Sequence, residues 1–268
     1  MIPLDFFLFY SGSKMSYLRY LTFKTLRHFH PESKIQLFTT KKSQSSGHNW
    51  NREKQDFESP IDGKDYMDDL KDLSIEIVVL ENFAPQYNAV VQSDIFRYWR
   101  LHEVGGFYLD TDQIILNSFK SLPLHKDLIC SIYRNPQCGM YAPVGILGSA
   151  KGTEIMDYIT KNILKYYSPN NYNSSGPFMF IDVLKKFDSK EVEDTTYNAP
   201  PSVFYPAYHS NMVNEIYDGS FEIPDASLAL HLFMGHPLSQ EFNKKYTEEF
   251  AKVSQDTVSR FLREKKFI

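Results

Sequence analysis

The stretch SDIFRYWRLHEVGGFYLDTD, residues 93–112, contains the strongest structural signals in this chain. Its first half predicts the end of a helix, which Gly105 and Gly106 stop because glycine readily adopts positive φ. The apolar residues that follow predict a short buried strand. Asp110 and Asp112 close the stretch two positions apart, so on an extended chain their side chains point to the same side. This order of features indicates an α/β fold with a polar site at a sheet edge.

Two carboxylates in this position offer the hard oxygen ligands that Mn²⁺ and Mg²⁺ prefer. The carboxyl ends of strands are also where α/β sheets tend to bind ligands. Asp110 and Asp112 therefore predict a Mn²⁺ or Mg²⁺ site, where a divalent ion can neutralise a departing diphosphate. Asp-x-Asp alone is a weak signal, since about one is expected by chance in a chain of this size. Its structural alternative is a solvated acidic turn.

Asp94 and Arg97 lie three positions apart on one face of the predicted helix. If this helix packs beside the acidic strand, both side chains flank the metal site and can hydrogen-bond to sugar hydroxyls. The alternative is an ordinary surface ion pair, which contributes roughly 0.2–0.5 kcal/mol. Spacing by itself favours neither interpretation.

The rest of the chain alternates predicted strands and helices, which favours a single Rossmann-like α/β sandwich over residues 1–268. Apolar runs predict strands at residues 4–10, 34–40, 74–80, 107–110, 113–116, 146–148 and 228–233. Helical periodicity predicts helices at residues 17–29, 91–104, 153–167, 179–186 and 240–262. Residues 41–72 are polar and mixed in charge, and predict an insertion or mobile loop because most connections are about 4–6 residues long.

Composition excludes some classes of protein. The net charge of −4 and pI of about 6.1 give no support to a nucleic-acid partner. Cys130 and Cys138 fit neither a redox CxxC motif nor a zinc knuckle, and are typical of free thiols in a reduced compartment. No signal-like start and no long apolar run is present, so we expect a cytoplasmic protein. The amphipathic helix at residues 240–262 has a basic end, which is compatible with peripheral contact to an anionic membrane.

The string at residues 93–112 resembles the sugar-binding DXD region of retaining glycosyltransferases. That family includes initiating mannosyltransferases, galactosyltransferases, bacterial capsule enzymes of polysaccharide biosynthesis and, more distantly, the large clostridial glucosylating toxins. The resemblance implies a GT-A fold around a mixed, mostly parallel sheet. It also implies a UDP- or GDP-sugar donor, a Mn²⁺ or Mg²⁺ cofactor, and transfer to a glycan, lipid-linked or protein acceptor.

The same resemblance assigns roles by position. Asp94 and Arg97 would contact the donor sugar, and Tyr108 would lie against the nucleoside. Asp110 would contact ribose and sugar, while Asp112 would bind the metal directly. These assignments make Asp94, Arg97, Asp110 and Asp112 the candidate catalytic residues.

Weaker similarities extend along the chain. Tyr10 and Ser11, followed by glycine, resemble the strand-turn that holds the base of the donor. The segment at residues 229–233 resembles a late strand whose histidine, here His231, supplies a further metal ligand. Relatives often continue with Gly-Ser-Trp, whereas this chain has Met-Gly-His-Pro at residues 234–237. This departure leaves the contact to the donor phosphate unassigned and makes His236 a rival to His231.

Two other functions remain open from the sequence. A nucleotidyltransferase uses a similar sheet and acidic metal site, but is expected to carry a glycine-rich basic loop after its first strand. Residues 11–14, Ser-Gly-Ser-Lys, are a faint version of such a loop. The other alternative is a catalytically silent nucleotide-sugar-binding protein, against which the intact set of Asp94, Arg97, Asp110 and Asp112 argues.

Overall fold

The computed structural model describes residues 1–12, 14–40, 46–48, 54–56, 61, 63–135, 138–207 and 212–268. Its strands are β1 (Phe6–Phe9), β2 (Ile35–Thr40), β3 (Ser46–His48), β4 (Lys54–Asp56), β5 (Glu76–Leu80), β6 (Gly106–Leu109), β7 (Gln113–Ile115), β8 (Leu128–Cys130), β9 (Tyr133–Asn135), β10 (Gly139–Tyr141), β11 (Ile146–Ser149), β12 (Thr196–Asn198) and β13 (Ala229–His231). Its helices are α1 (Tyr17–Phe29), α2 (Ala89–Val104), α3 (Glu154–Tyr166), α4 (Met179–Leu184), α5 (Ser189–Thr195), α6 (Pro201–Phe204), α7 (Met212–Asp218), α8 (Pro237–Lys245), α9 (Glu248–Val253) and α10 (Thr257–Glu264).

The described strands build a central seven-stranded sheet in the order β12-β8-β11-β6-β1-β2-β5. Strand β11 runs antiparallel to both of its neighbours, and the other pairings in the sheet are parallel. This arrangement confirms the predicted mixed, mostly parallel sheet. The carboxyl ends of β1 and β6 lie side by side in it, which is the edge where α/β proteins commonly bind ligands.

Strand β1 is apolar throughout because both faces of the sheet are covered. Phe6 and Leu8 pack into one core cluster, together with Leu26 of α1. Phe7 and Phe9 point to the opposite face, where the second cluster includes residues from α2 and α3. A strand buried on both faces has no polar side to present, which explains the unbroken apolar run.

The glycine stop after α2 has the predicted geometry. Gly105 adopts φ of 73° and Gly106 adopts φ of 107°, both in the left-handed region that side chains disfavour. A Cβ on Gly106 would also lie 2.8 Å from the carbonyl oxygen of Asp5. The two glycines therefore end α2 and let β6 enter the sheet directly beside β1.

A small second sheet completes the frame of the site. Strand β13 pairs antiparallel with β7, in a register that sets His231 opposite Gln113. The backbone N–H of Leu232 extends this pairing by donating to the carbonyl of Asp112 at 2.9 Å. This sheet brings the end of β13 directly against the Asp-Thr-Asp segment.

The prediction of one helix over residues 240–262 is wrong, because the structure has three helices, α8, α9 and α10, in the region from Pro237 to Glu264. Thr247 accepts a hydrogen bond from the N–H of Phe250 at 3.2 Å, and Asp256 accepts one from the N–H of Ser259 at 2.9 Å. Each side chain satisfies a free N–H group at a helix start, so each begins a new helix. The apolar periodicity is continuous across these breaks, which is why the pattern resembled a single helix.

The suggested membrane contact through this region is not supported by the packing. Val258 and Leu262 of α10 are fully buried and Phe261 is 7% exposed. All three belong to a core cluster that also contains Leu18 and Leu21 of α1. The apolar face of α10 thus packs against other residues inside the domain. In the part of the chain that the structure describes, no helix has the length and apolarity needed to cross a bilayer.

The polar stretch at residues 41–72 lies partly outside the described residues. Within it, β3 and β4 form an antiparallel pair, and a 3₁₀ helix at Asp68–Leu73 buries Leu70. Several short elements were not predicted from the sequence, namely β8, β9, β10, β12, α5, α6 and α7. The strands among them are three residues long, too short for their periodicity to be read.

One buried histidine, His30, lies in the hydrophobic core. His30 follows α1 and is 1% exposed, with its ring 4.6 Å from that of Phe6. Its Nε2 accepts a hydrogen bond from the N–H of Phe119 at 3.2 Å, a role that requires the neutral imidazole. Burial, with a smaller contribution from Lys120, lowers the pKa of His30 to about 4.

We expect His30 to make the fold sensitive to mild acid. Its folded-state pKa lies below the unfolded value of about 6.5, so its contribution to stability is complete above that value and is lost as the pH falls towards about 4. The melting temperature should fall by several degrees between about pH 7 and pH 5, and His30→Gln should reduce that fall. Thermal melts across this range measure it, with the exposed His125→Gln as the control. Equal pH slopes for wild type and His30→Gln would contradict the assignment.

Candidate active site

A cavity opens at the carboxyl ends of β1 and β6. Tyr10 and Ser11 line it directly after β1, and Asp110 and Asp112 line it after β6. Arg97 reaches it from α2. The fold therefore gathers these five predicted residues, which come from three separate elements, into one cavity.

Asp110, Asp112 and His231 form a group that can hold a metal ion. One ligand atom from each lies within 4.8 Å of the others. The Nε2 atom of His231 lies 3.3 Å from Oδ2 of Asp112. His236 is not part of this group; its Nδ1 accepts a hydrogen bond from the N–H of Leu238 at the start of α8. Of the two rival histidines, the structure places His231 beside the carboxylates.

The chain turns sharply after β13 to complete this group. Phe233 adopts φ of 51°, a left-handed conformation that is uncommon for a bulky residue and is typical of functional sites. The turn directs the backbone N–H of Met234 onto Oδ2 of Asp112 at 2.9 Å. Asp112 is thereby fixed by backbone and side-chain donors at once.

The electrostatics of this group favour the ionised carboxylate. Burial raises the pKa of Asp112, but the charge and hydrogen bond of His231, the charge of Arg19 and the Met234 N–H outweigh it and hold that pKa below its usual range. Burial lowers the pKa of His231, and Asp112 more than offsets that effect. Two carboxylates and one imidazole are a donor set suited to Mn²⁺, and the oxygens also suit Mg²⁺.

Arg97 is buried, and several neighbouring groups bind its guanidinium. Its Nη2 lies 3.1 Å from Oδ1 of Asp94 and 3.5 Å from Oδ1 of Asp110. Its Nη1 donates to the carbonyl of Val144 at 2.5 Å, and Nη2 donates to Oγ of Ser93 at 3.1 Å. The side chains of Arg97 and Asp94 are 6% and 4% exposed, so the alternative of a surface ion pair is wrong.

Asp94 and Tyr108 lie behind the cavity wall rather than on it. The hydroxyl of Ser175 donates to Oδ2 of Asp94 at 2.7 Å. Burial raises the pKa of Asp94, while Arg97 and Ser175 lower it. The hydroxyl of fully buried Tyr108 donates to Oδ1 of Asp110 at 2.7 Å, and its ring lies under the guanidinium of Arg97. In this structure both residues hold Arg97 and Asp110 in place.

Sequence reasoning missed Gly145, which leaves room for the carboxylate of Asp110. A Cβ on Gly145 would lie 2.6 Å from Oδ2 of Asp110 and 3.3 Å from Nε2 of Gln113. The carbonyl of Gly145 also accepts the backbone N–H of Asp110 at 2.7 Å. Gln113 is fully buried, and neither amide atom has a hydrogen-bond partner among the described residues. No local sequence signal marks either position, since both act through contacts across the sheet.

Part of this chain matches a known protein family. Residues 18–129 match the family model described as "Glycosyltransferase sugar-binding region containing DXD motif". The matched region contains α2, the glycine stop, β6 and the Asp-Thr-Asp segment. This match covers about two-fifths of the chain and indicates a glycosyltransferase of the DXD type. This result favours sugar transfer over the two alternatives considered from the sequence, and His231 lies outside the matched residues.

Solved structures support the fold of this glycosyltransferase. The PaToxG glycosyltransferase superposes with a TM-score of 0.50 at 20% identity, covering 72% of this chain and 73% of that chain. The apo form of the glycosyltransferase GlyE from Streptococcus pneumoniae TIGR4 gives a TM-score of 0.54 at 14% identity, covering 99% and 61%. This chain thus spans about three-fifths of the GlyE chain. At these identities the likeness concerns the fold, and it agrees with the predicted GT-A architecture. No curated protein matches the sequence significantly.

The substitution Gly145→Ala would crowd the carboxylate of Asp110. The added methyl group must displace the Asp110 carboxylate, so we expect the affinity for Mn²⁺ to fall by about tenfold, an effect typical of changes just outside a metal site. Titration with Mn²⁺ followed by thermal shift measures it. Gly148→Ala is the matched control, because its Cβ would lie 2.6 Å from the ring of Phe107 instead. An equal loss of Mn²⁺ affinity in both variants would contradict the assignment to Asp110.

Proposed function

We propose that this glycosyltransferase transfers a sugar from a UDP- or GDP-sugar to a hydroxyl group of a glycan, lipid-linked or protein acceptor, with retention of anomeric configuration and dependence on Mn²⁺ or Mg²⁺. The observation that carries the proposal is the group of Asp110, Asp112 and His231 in the cavity at the end of β6. The DXD family match supports a nucleotide-sugar donor at this place.

Asp110, Asp112 and His231 would hold the ion, with Gly145 leaving space for one carboxylate and Met234 fixing the other. A divalent ion bound there supplies positive charge to the diphosphate that leaves the sugar. The protein contributes a prepared arrangement of ligands whose orientation is fixed before the donor binds.

Tyr10 and Ser11 line the same cavity and are the proposed contacts to the base of the donor. Arg97 lines it as well, which supports a contact to the donor sugar. Asp94 and Tyr108 are proposed to contribute to donor binding by holding Arg97 and Asp110, because both are buried behind these residues.

Retention of configuration is proposed from the resemblance to retaining glycosyltransferases, and the acids that line the cavity are compatible with it. Among the described lining residues, the carboxylates are Asp110 and Asp112, and both are assigned to the ion. Neither is therefore left to attack the sugar as a nucleophile. We infer that a phosphate oxygen of the donor accepts the proton of the acceptor hydroxyl. The acceptor oxygen then bonds to the anomeric carbon on the face from which the diphosphate departs.

The metal-binding group predicts a specific loss of activity. With Mn²⁺ and a panel of UDP-, GDP- and CMP-sugars, we expect slow release of the free nucleotide from one donor. EDTA should abolish this release, and Asp112→Asn and His231→Gln should each lower kcat/KM by about a hundredfold or more, because the ion's charge stabilises the transition state. Free nucleotide is quantified by chromatography.

Two variants serve as matched controls for this assay. His236→Gln removes the rival histidine, and Asp157→Asn removes a carboxylate on α3 that pairs with Lys161. Both should retain the release activity of the wild type. A loss in His236→Gln as large as that in His231→Gln would overturn the ligand assignment, and release that persists in EDTA would overturn the metal dependence.

Retention can be tested on the product itself. Once the donor and an acceptor are found, the anomeric configuration of the new linkage should equal that of the donor sugar. Proton coupling constants of the product, taken early in the reaction, measure this directly. A product of opposite configuration would sink the proposed mechanism while leaving sugar transfer intact.

A further inference from the structure

Arg19 is a second guanidinium in the cavity, and no sequence motif pointed to it. It lies on α1, where its backbone N–H donates to the capping side chain of Ser16. Its Nη1 donates to Oγ1 of Thr111 at 2.6 Å, and its guanidinium carbon lies 5.1 Å from the ring centre of Tyr10. The side chain is thus held in one place at the cavity wall.

The two arginines of the cavity have different partners. Arg97 is neutralised by Asp94 and Asp110 and also donates to the carbonyl of Val144. Arg19 has no carboxylate within ion-pair distance among the described residues, and its Nε and Nη2 make no hydrogen bond to any of them. Arg19 is half-buried and is one of the residues that line the cavity. A guanidinium with open donors in a cavity is suited to a planar or tetrahedral anion.

Thr111, the middle residue of the Asp-Thr-Asp segment, is joined to α1 twice. Its hydroxyl receives the bond from Arg19, and its carbonyl accepts the hydroxyl of Thr22 at 2.9 Å. Thr22 lies one helical turn after Arg19 and in turn accepts the N–H of Gln113 at 3.2 Å. The position of Arg19 is therefore set by the same segment that carries Asp110 and Asp112.

The other groups around the metal site are already engaged. The N–H of Met234 donates to Asp112, so in this arrangement it is not available to a phosphate. With an ion on the two carboxylates and Asp94 on Arg97, Arg19 is the remaining positive side chain on the described cavity wall.

We propose that Arg19 binds the diphosphate of the nucleotide-sugar donor and that Thr111 positions it through its hydroxyl group. The inference rests on the proposed function and extends it to the residue that recognises the leaving group. Two charge-assisted hydrogen bonds from one guanidinium to phosphate oxygens stabilise the bound donor and the negative charge that develops as the sugar departs. Thr111 acts through Arg19 and is a positioning residue.

The test compares ligands that differ only in the diphosphate. Binding of UDP and GDP, and of uridine and guanosine, is measured by calorimetry with Mn²⁺ present. For the nucleotide that the wild type binds, Arg19→Gln should lower the affinity for the nucleoside diphosphate by about tenfold or more. This is the size expected for losing charge-assisted hydrogen bonds. The affinity for the nucleoside should stay unchanged. Arg19→Lys should recover part of the lost affinity, since lysine keeps the positive charge but lacks the paired N–H donors of the guanidinium.

Thr111 is tested by a double-mutant cycle. Thr111→Val keeps the shape of the side chain and removes the hydroxyl, so it should lower the affinity for the nucleoside diphosphate by severalfold. In the Arg19→Gln background the same change should have little further effect, because the bond it removes is already gone. Lys24→Gln removes a charge from α1 outside the cavity and should bind as wild type does.

The outcomes separate the two proposals. Wild type that binds neither UDP nor GDP would defeat the proposed function and this inference with it. Wild type that binds, with Arg19→Gln of equal affinity, would defeat the inference alone. An equal loss for nucleoside and diphosphate would also defeat it, and would assign Arg19 to the base through the ring of Tyr10.

Discussion

The ion pair of Arg97 with Asp94 and Asp110 is the interaction on which the rest of the site depends. It joins α2 to the end of β6, where the side chains of Arg97 and Asp94 are almost fully excluded from water and that of Asp110 is 28% exposed to the cavity. A buried carboxylate without a partner is strongly destabilising, so the cluster requires all three members. Val144, Ser93 and Ser175 supply the remaining hydrogen bonds. One consequence is that Asp110 reaches the cavity with its orientation fixed from behind.

The metal group adds a second constraint, which comes from the far end of the chain. The antiparallel pairing of β13 with β7 carries His231 to the Asp-Thr-Asp segment, and the turn at Phe233 then returns Met234 to Asp112. Asp110 is thus supported by α2, while Asp112 is supported by the strand after α7. Two independent supports hold the carboxylates in the paired arrangement that an ion needs, and Gly145 leaves room for the carboxylate of Asp110.

A third element, α1, completes the proposed donor site. Thr22 and Arg19 bind the carbonyl and the hydroxyl of Thr111, which places a cation with open hydrogen-bond donors beside Asp110, Asp112 and His231. The two guanidinium groups of the site therefore have different roles. One guanidinium is neutralised and organises the carboxylates, and the other faces the cavity where an anion would bind. The middle residue of Asp-x-Asp is therefore more than a spacer in this chain, because its hydroxyl links the acidic segment to α1.

The sequence by itself determined the elements whose signals are local. Apolar runs and helical periodicity predicted β1 and all of α1, and the glycine pair predicted the stop before β6. The DXD string also predicted Asp110 and Asp112 as neighbours. Only the tertiary structure placed His231, and not His236, beside Asp112, broke residues 240–262 into three helices, and brought Arg19 and Gly145 to the cavity and to Asp110. The reason is physical: those outcomes depend on contacts between residues far apart in the chain, such as Arg19 with Thr111, which no local pattern records.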